Sequence, residues 1–366
     1  MDATGPGNNP DSGPSIVIAG GGTAGHIEPA LAVGEALRRR HNATVTALGT
    51  SRGLESDLVP GRGFDLRMID PVPVPRKVSA DLFKLPFRVV KAVLQARRVL
   101  KDVGAQVLFG TGGYVAAPAY IAARTLNIPF FVLETNALAG MANKLGVRLG
   151  GTGLNAVAGS GMPGEVVGIP VRPGLGEDRD GNAVAYAREE FGLADDRRTL
   201  LVTGGSQGAA SINRAVEEAV PQLIEAGYQI LHAYGAKNDP PATVDDFYVT
   251  MPYIHDMSGA LTVADMIVCR SGAMTVAEVT AAGVPAVYVP LPHGNGEQGR
   301  NARQVVEEGA ARLVDDSALT PQLLVEQVNE ILGDEEQLRK MRSAATRSST
   351  GDVSEQLADR VVAAMF

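Results

Sequence analysis

The chain has 366 residues, 45% of them hydrophobic, enough for two ordinary domains with their own cores, which excludes a largely disordered protein. Its net charge of −8 argues against general nucleic-acid binding, which needs a basic surface, and its single cysteine, Cys269, excludes an intrachain disulfide. No apolar stretch approaches the ~18 residues of a spanning helix, so a soluble or peripheral protein is expected.

Residues 1–14, rich in Gly, Pro, Asn and Asp, lack the basic and apolar blocks of a signal peptide and read as a disordered lead-in. The run Ile16-Val17-Ile18-Ala19 predicts a first strand over 15–19 that feeds into Gly20-Gly21-Gly22-Thr23-Ala24-Gly25-His26. Such a strand-to-helix turn leaves bare backbone N–H groups and the positive end of the helix dipole ready for a phosphate. A helix follows over 27–40, with Asn42 as its stop signal. Strands are expected over 43–48, 107–110, 130–133 and, briefly, 166–167, with helical stretches between them. That alternation implies a parallel sheet with right-handed crossovers.

Residues 76–102 hold eight Lys/Arg against Asp81 and Asp102, a net +6 on an acidic protein. Leu82, Phe83, Leu85 and Phe87 are interleaved there with Lys84 and Arg88. The pattern suits either shallow docking on an anionic membrane face or a core-facing helix with a solvated basic side.

Gly168-Ile169-Pro170-Val171-Arg172-Pro173-Gly174 is dense in turn residues and reads as an interdomain linker. Beyond it the strand–helix alternation restarts, with strands over 200–203, 229–233, 247–250, 266–269 and 286–289. A second glycine turn, Thr203-Gly204-Gly205-Ser206-Gln207-Gly208, follows the first of these. A third tight turn, Ser271-Gly272, opens a helix that runs to Gly283 with Pro285 behind it. The polar loop 290–301 suits sugar hydroxyls but equally suits plain surface. The last segment, 351–366, reads as an amphipathic helix with Val353, Leu357, Val361 and Met365 on one face, covering one of the domains. The expected division is therefore 1–14 lead-in, 15–168 N-terminal domain, 169–350 C-terminal domain and 351–366 terminal helix.

Gly20-x-Gly22-x-x-Gly25 alone matches a dinucleotide fingerprint, which also needs an acidic residue closing the second strand. Here that strand ends Ala47-Leu48-Gly49-Thr50, and Glu55 and Asp57 fall later, which argues against a nicotinamide enzyme. His26 can be a packing or capping histidine, or a general base or anion contact whose imidazole a helix N-terminus keeps neutral. Thr275 and Glu278 share a helix face, and a carboxylate one turn into a helix beside a phosphate site suits ribose hydroxyls. The plainer alternative is a solvated helix glutamate. Cys269 reads as a small buried hydrophobe rather than a nucleophile.

Taken in order, these motifs resemble the MurG family of glycosyltransferases from Ile16 to the C-terminus. The resemblance rests on Gly-Gly-Thr-x-Gly-His at 21–26, Gly112-Gly113-Tyr114-Val115 with Pro118, Glu134-x-Asn136, and Gly168-Ile169-Pro170-Val171-Arg172. It continues through Gly204-Gly205-Ser206-Gln207-Gly208, the run from Arg270 to Glu278, and Gln298-x-x-Asn301-Ala302. It implies an α/β GT-B fold: two Rossmann-like domains with parallel sheets separated by a deep cleft, the last helix returning to the first domain. The implied reaction moves N-acetylglucosamine (GlcNAc) from UDP-GlcNAc to lipid I (undecaprenyl-pyrophosphoryl-MurNAc-pentapeptide), making lipid II at the cytoplasmic face of the membrane.

By this resemblance, the donor would be held by Thr23, Ala24, Gly25, Asn136, Arg172, Ser206, Ile254, Ala273, Met274, Thr275, Val276, Ala277, Glu278 and Gln298. Glu278 would hold the ribose, and Ile254 would lie against the uracil. The acceptor side would use Gly22, His26 and Tyr114, the turn at Thr23–Gly25 also facing the acceptor pyrophosphate, with His26 as base and Glu134 as the second candidate. Leu82, Phe83, Lys84, Phe87 and Arg88 would form the membrane patch. No cofactor and no metal are expected. Two departures from the family pattern stand out: Leu133 replaces a frequent histidine, and Ala24 replaces a frequent glycine, which a turn absorbs if residue 24 keeps a negative φ. The rival readings are a UDP-sugar epimerase, a lipid or macrolide glycosyltransferase, and a non-catalytic nucleotide-sugar sensor.

Overall fold

The structure is a computed structural model that describes residues 13–51, 53–72, 81–172, 174–175, 181–205, 207–293, 296–349 and 351–365, without the side chains of 81–84. It divides into two compact units, one of residues 1–172 with 352–366 and the other of 173–351.

The first unit runs β1 (Ser15–Gly20), α1 (Ala24–His41), β2 (Thr44–Thr50), α2 (Glu55–Gly61), β3 (Asp65–Ile69), α3 (Asp81–Asp102), β4 (Val107–Gly112), α4 (Ala116–Leu126), β5 (Phe130–Glu134), α5 (Met141–Arg148), β6 (Thr152–Asn155) and β7 (Glu165–Val166). Its described strands form one parallel sheet in the order β3-β2-β1-β4-β5-β6-β7. Strands β1, β4 and β5 are unbroken apolar runs because helices cover both faces, leaving no solvent side to demand alternation. The short strand lies at 165–166, one residue earlier than expected. Asn42 ends α1 in the left-handed conformation, φ 50°, as Asn127 ends α4 at φ 56°.

The second unit runs α6 (Asn182–Phe191), β8 (Arg198–Thr203), α7 (Ala210–Glu225), β9 (Tyr228–Ala233), β10 (Tyr248–Met251), α8 (Met257–Val263), β11 (Met266–Cys269), α9 (Ala273–Ala281), β12 (Ala286–Tyr288), α10 (Glu297–Glu307), β13 (Ala311–Leu313), α11 (Pro321–Leu332) and α12 (Glu335–Ser348). Its described strands form a second parallel sheet, β10-β9-β8-β11-β12-β13. Helix α13 (Val353–Ala363) belongs to the first unit. It buries Val353, Leu357, Ala358 and Val361 in that unit's core, which stabilises by about 1.5–3 kcal/mol for each large side chain. Arg39, Arg40 and His41 of α1 pair with Glu355 and Asp359 at its surface, where screening leaves ion pairs little weight.

Both sheets reverse their winding at one place, between β1 and β4 in the first unit and between β8 and β11 in the second. At such a reversal the two crossovers leave in opposite directions and open a crevice beyond the strand C-termini. The first glycine turn follows β1, the second follows β8, and Arg270-Ser271-Gly272 follows β11. Each unit therefore sets its glycine turn where a doubly wound sheet takes a ligand.

Candidate active site

In the first unit, the turn after β1 is shaped by close backbone approach. Gly22 has φ 90°, and a Cβ on Gly113 would fall 2.0 Å from the Gly21 carbonyl oxygen. The Gly21 amide donates to the Gly112 carbonyl at 3.3 Å, and the Gly22 amide donates to Glu55 Oε1 at 3.1 Å. These two amides are thus committed inside the protein, which corrects the expectation that the whole turn offers bare N–H groups. Those left to an anion are at Thr23, Ala24 and Gly25, at the start of α1, where no preceding helical turn supplies an acceptor. The Thr23 hydroxyl makes no capping bond. Ala24 keeps a negative φ, so the turn absorbs the loss of glycine there. The Tyr114 ring lies about a van der Waals contact (3.6 Å) from where a Gly22 Cβ would be, and Tyr114 is half exposed.

His26 stands two residues into α1, its carbonyl accepting from Thr111 Oγ1 at 2.5 Å. Its ring lies over Gly112, where a Cβ would come within 3.0 Å of Nε2, and its Nδ1 is buried without a hydrogen-bond partner. Burial pulls its pKa below the usual 6.5, opposed by the negative charges of Glu134 and Glu55. The imidazole is consequently neutral near pH 7, the form that accepts a proton.

Glu134, only 2% exposed, closes β5. Its Oε1 accepts from the Asn136 amide at 2.9 Å and Asn136 Nδ2 at 3.3 Å, while Oε2 accepts from the Gly140 amide and Asn143 Nδ2, both at 2.9 Å. Asn143 in turn takes the Tyr120 hydroxyl at 3.0 Å. Both carboxylate oxygens accept hydrogen bonds, so Glu134 braces the segment 134–143 and sets Asn136. Leu133 is fully buried in the core with Ile18 and Phe131, so its side chain belongs to the packing of the sheet. Arg172 lies 3.8 Å from Glu28 of α1.

In the second unit, Gly205 (φ 81°) donates its amide to Thr203 Oγ1 at 3.1 Å, and Ser206 lies outside the described residues. A Cβ on Gly208 would fall 2.2 Å from the Tyr234 carbonyl oxygen, so α7 can begin this close to β9 only with glycine there. Beneath it Asn213 Nδ2 donates to the Tyr234 carbonyl at 2.8 Å, and His232 bridges Asn213 and Tyr248. Burial lowers the His232 pKa to about 4, so this is a neutral structural histidine.

Helix α9 starts behind Gly272 with no side-chain cap, which leaves the amides of Ala273, Met274 and Thr275 without intrahelical acceptors. Ala273, Met274 and Val276 have buried side chains, so what they can offer a ligand is backbone. Glu278 is 9% exposed, one turn further along. Ile254 is 2% exposed and its side chain packs in the core with Val276 and Val279. Gln298 Oε1 accepts from the Leu291 amide at 2.9 Å, and Asn301 Nδ2 donates to the Ser271 carbonyl at 3.3 Å, so α10 is tied to the loop before it and to the turn before α9.

Two groups escaped the sequence reading. Arg270 Nη1 reaches Asp316 at 2.5 Å and the carbonyls of Val289 and Pro290 at 3.1 and 3.0 Å, while Ser211 Oγ bonds both Arg270 and Asp316. Burial pushes the Asp316 carboxyl up, but the hydrogen bonds from Ser211 and Arg270 outweigh it and hold the group below the usual carboxylate range. This clasp joins β11, α7 and the strand end at 289–290, and nothing in the spacing of Ser211, Arg270 and Asp316 announces it. Glu55 is the other. The chain also holds one Asp-x-Asp triplet, Asp178-Arg179-Asp180, which lies outside the described residues.

On α3, Phe87, Val90 and Leu94 are exposed, Phe87 by 79%, although Ala92, Ala96 and Leu100 of the same helix are buried. The helix is apolar on two sides, with Lys91, Arg97, Arg98 and Lys101 alongside. Leu82, Phe83 and Lys84 are helical in backbone, but their side chains lie outside the described ones. Among the described residues no helix is long and apolar enough to cross a membrane.

Two doubly wound units, each presenting helix N-termini and a glycine turn at its sheet reversal, define a glycosyltransferase of the GT-B type. Residues 16–150 match the glycosyltransferase family 28 N-terminal domain and residues 199–357 its C-terminal domain, and the chain belongs to this family. A Corynebacterium glutamicum (strain R) relative named UDP-N-acetylglucosamine–N-acetylmuramyl-(pentapeptide) pyrophosphoryl-undecaprenol N-acetylglucosamine transferase is 62% identical over 95% of this chain and 98% of its own length. A Mycobacterium avium protein of the same name is 51% identical over 94% of this chain and 87% of its own. The crystal structure of Acinetobacter baumannii MurG matches with a TM-score of 0.71 and 31% identity, covering 95% of this chain and 99% of that one.

Proposed function

We infer that this chain transfers GlcNAc from UDP-GlcNAc to the muramoyl 4-hydroxyl of lipid I and so forms lipid II for peptidoglycan. The observation that carries the acceptor half is His26: a neutral imidazole with an unpartnered buried Nδ1 beside the free amides at 23–25. In the proposed reaction His26 takes the hydroxyl proton while the oxygen attacks the anomeric carbon. The bond to the diphosphate breaks on the opposite face, and its electron pair leaves with UDP. The amides at 273–275 then receive the charge growing on the diphosphate, the service an oxyanion hole gives elsewhere.

In this reading Glu278 holds the ribose hydroxyls and the Ile254 backbone meets the uracil. Ser206 meets the diphosphate and Gln298 reads the sugar. Asn136, fixed by Glu134, and Arg172 complete the donor contacts, while Gly22 and Tyr114 lie on the acceptor side. The Phe87-Val90-Leu94 ridge with its flanking cations docks the enzyme on the anionic cytoplasmic face of the membrane, as a peripheral protein beside its lipid-linked substrate.

Incubation with labelled UDP-GlcNAc and a lipid I analogue tests the reading by mass spectrometry of the lipid product. Gain of one GlcNAc on the lipid is expected. Conversion of the donor sugar without any acceptor would point to an epimerase, and binding without turnover to a sensor. Either outcome overturns the reading.

A further inference from the structure

Glu55 is a carboxylate with no exposed surface, set at the start of α2 but folded back onto the first glycine turn. Its Oε1 accepts from the Gly22 amide at 3.1 Å, the Thr50 amide at 3.2 Å and Thr50 Oγ1 at 3.3 Å, while Oε2 is buried without a partner. Three glycines make its space. A Cβ on Gly21 would fall 2.6 Å from Oε1, one on Gly53 1.7 Å from Oε2, and one on Gly49 3.0 Å from the Glu55 Cβ. The acidic residue that is absent from the end of β2 is thus supplied from α2. It meets the turn's own backbone, on an amide that a dinucleotide-binding turn would leave for its ligand.

We propose that Glu55 is a positioning residue for the transfer, which anchors the first glycine turn, and with it the start of the helix that carries His26, through the Gly22 amide. The proposal rests on the reading of His26 as the base. The ionisable groups acting on His26 are Glu134, at the end of β5, and Glu55; both carboxylates favour its protonated form while burial opposes it. A buried carboxylate oxygen left unpartnered costs stability, and the turn that Glu55 grips carries the amides and the imidazole proposed to face the acceptor.

Glu55→Gln keeps an acceptor for the Gly22 amide and removes the charge, whereas Glu55→Ala removes both. KM for each substrate and the pH dependence of kcat/KM are measured for both variants and for His26→Ala. Glu55→Gln should keep its acceptor KM, because the amide oxygen of glutamine still accepts from the Gly22 amide. Glu55→Ala should raise the acceptor KM roughly tenfold with the donor KM unchanged, the scale of one orphaned buried amide. An acceptor KM raised as far in Glu55→Gln as in Glu55→Ala, or equal losses for donor and acceptor in Glu55→Ala, overturns the proposal. If His26→Ala keeps the wild-type rate and limb, the base assignment fails by itself, and the acceptor KM of Glu55→Ala still decides whether Glu55 anchors the turn.

Discussion

Glu134→Gln separates the two candidate bases. The wild-type carboxylate accepts four hydrogen bonds, two on each oxygen, and the surrounding groups offer only donors: the amides of Asn136 and Gly140 and the side-chain NH2 groups of Asn136 and Asn143. Glutamine has the same shape, but one of its two ends becomes an NH2 that faces two of those donors. Asn143 cannot simply turn over to meet it, because its Oδ1 already takes the Tyr120 hydroxyl. One or two donors left unsatisfied, most of them part-buried, should cost about 1–4 kcal/mol. For a unit of this size that corresponds to a melting temperature lower by roughly 2–15 °C. Scanning calorimetry gives the shift, and kcat with both KM values gives the functional loss, expected to include a raised donor KM because Asn136 loses its anchor. A variant with the parent melting temperature whose kcat falls roughly 10²–10⁴-fold would instead make Glu134 the proton acceptor and refute the brace.

Glu278→Ala should raise the donor KM roughly tenfold or more through lost charge-assisted bonds to the ribose; an unchanged donor KM removes that assignment. The acid limb of kcat/KM should lie below the usual histidine value of 6.5, since burial makes His26 give up its proton more readily, and a limb above 6.5 would contradict the neutral-base account. Replacing Phe87, Val90 and Leu94 with serine should weaken binding to anionic vesicles roughly tenfold or more per side chain inserted, read by vesicle sedimentation; unchanged binding leaves the ridge without that role. Activity should survive EDTA, and a full loss restored by magnesium would refute metal-independent transfer.

Much of the architecture was legible because parallel strands covered on both faces read as unbroken apolar runs, and β1, β4, β5, β8 and β11 all do. The strands that escaped notice lack that signature. In β3, Asp65, Arg67 and Met68 are exposed at the edge of the sheet, β6 begins with Thr152-Gly153, and β13 has only three residues. The glycine turns were visible as composition, but which amides they leave free was not. That depends on Glu55, whose partners Gly22 and Thr50 are joined to it only once α2 has folded back on β2. In the same way Glu134 reads as an available carboxylate until the donors at 136, 140 and 143 are seen around it.

The central claim is a single displacement of UDP by the acceptor hydroxyl, and the anomeric configuration of the product tests it most directly. UDP-GlcNAc carries its sugar in the α configuration, so one inverting step, with His26 as base and no covalent intermediate, predicts a β-linked GlcNAc on the muramoyl 4-oxygen by proton NMR of the purified lipid product. An α-linked product would require two displacements or a front-face attack and would contradict the mechanism.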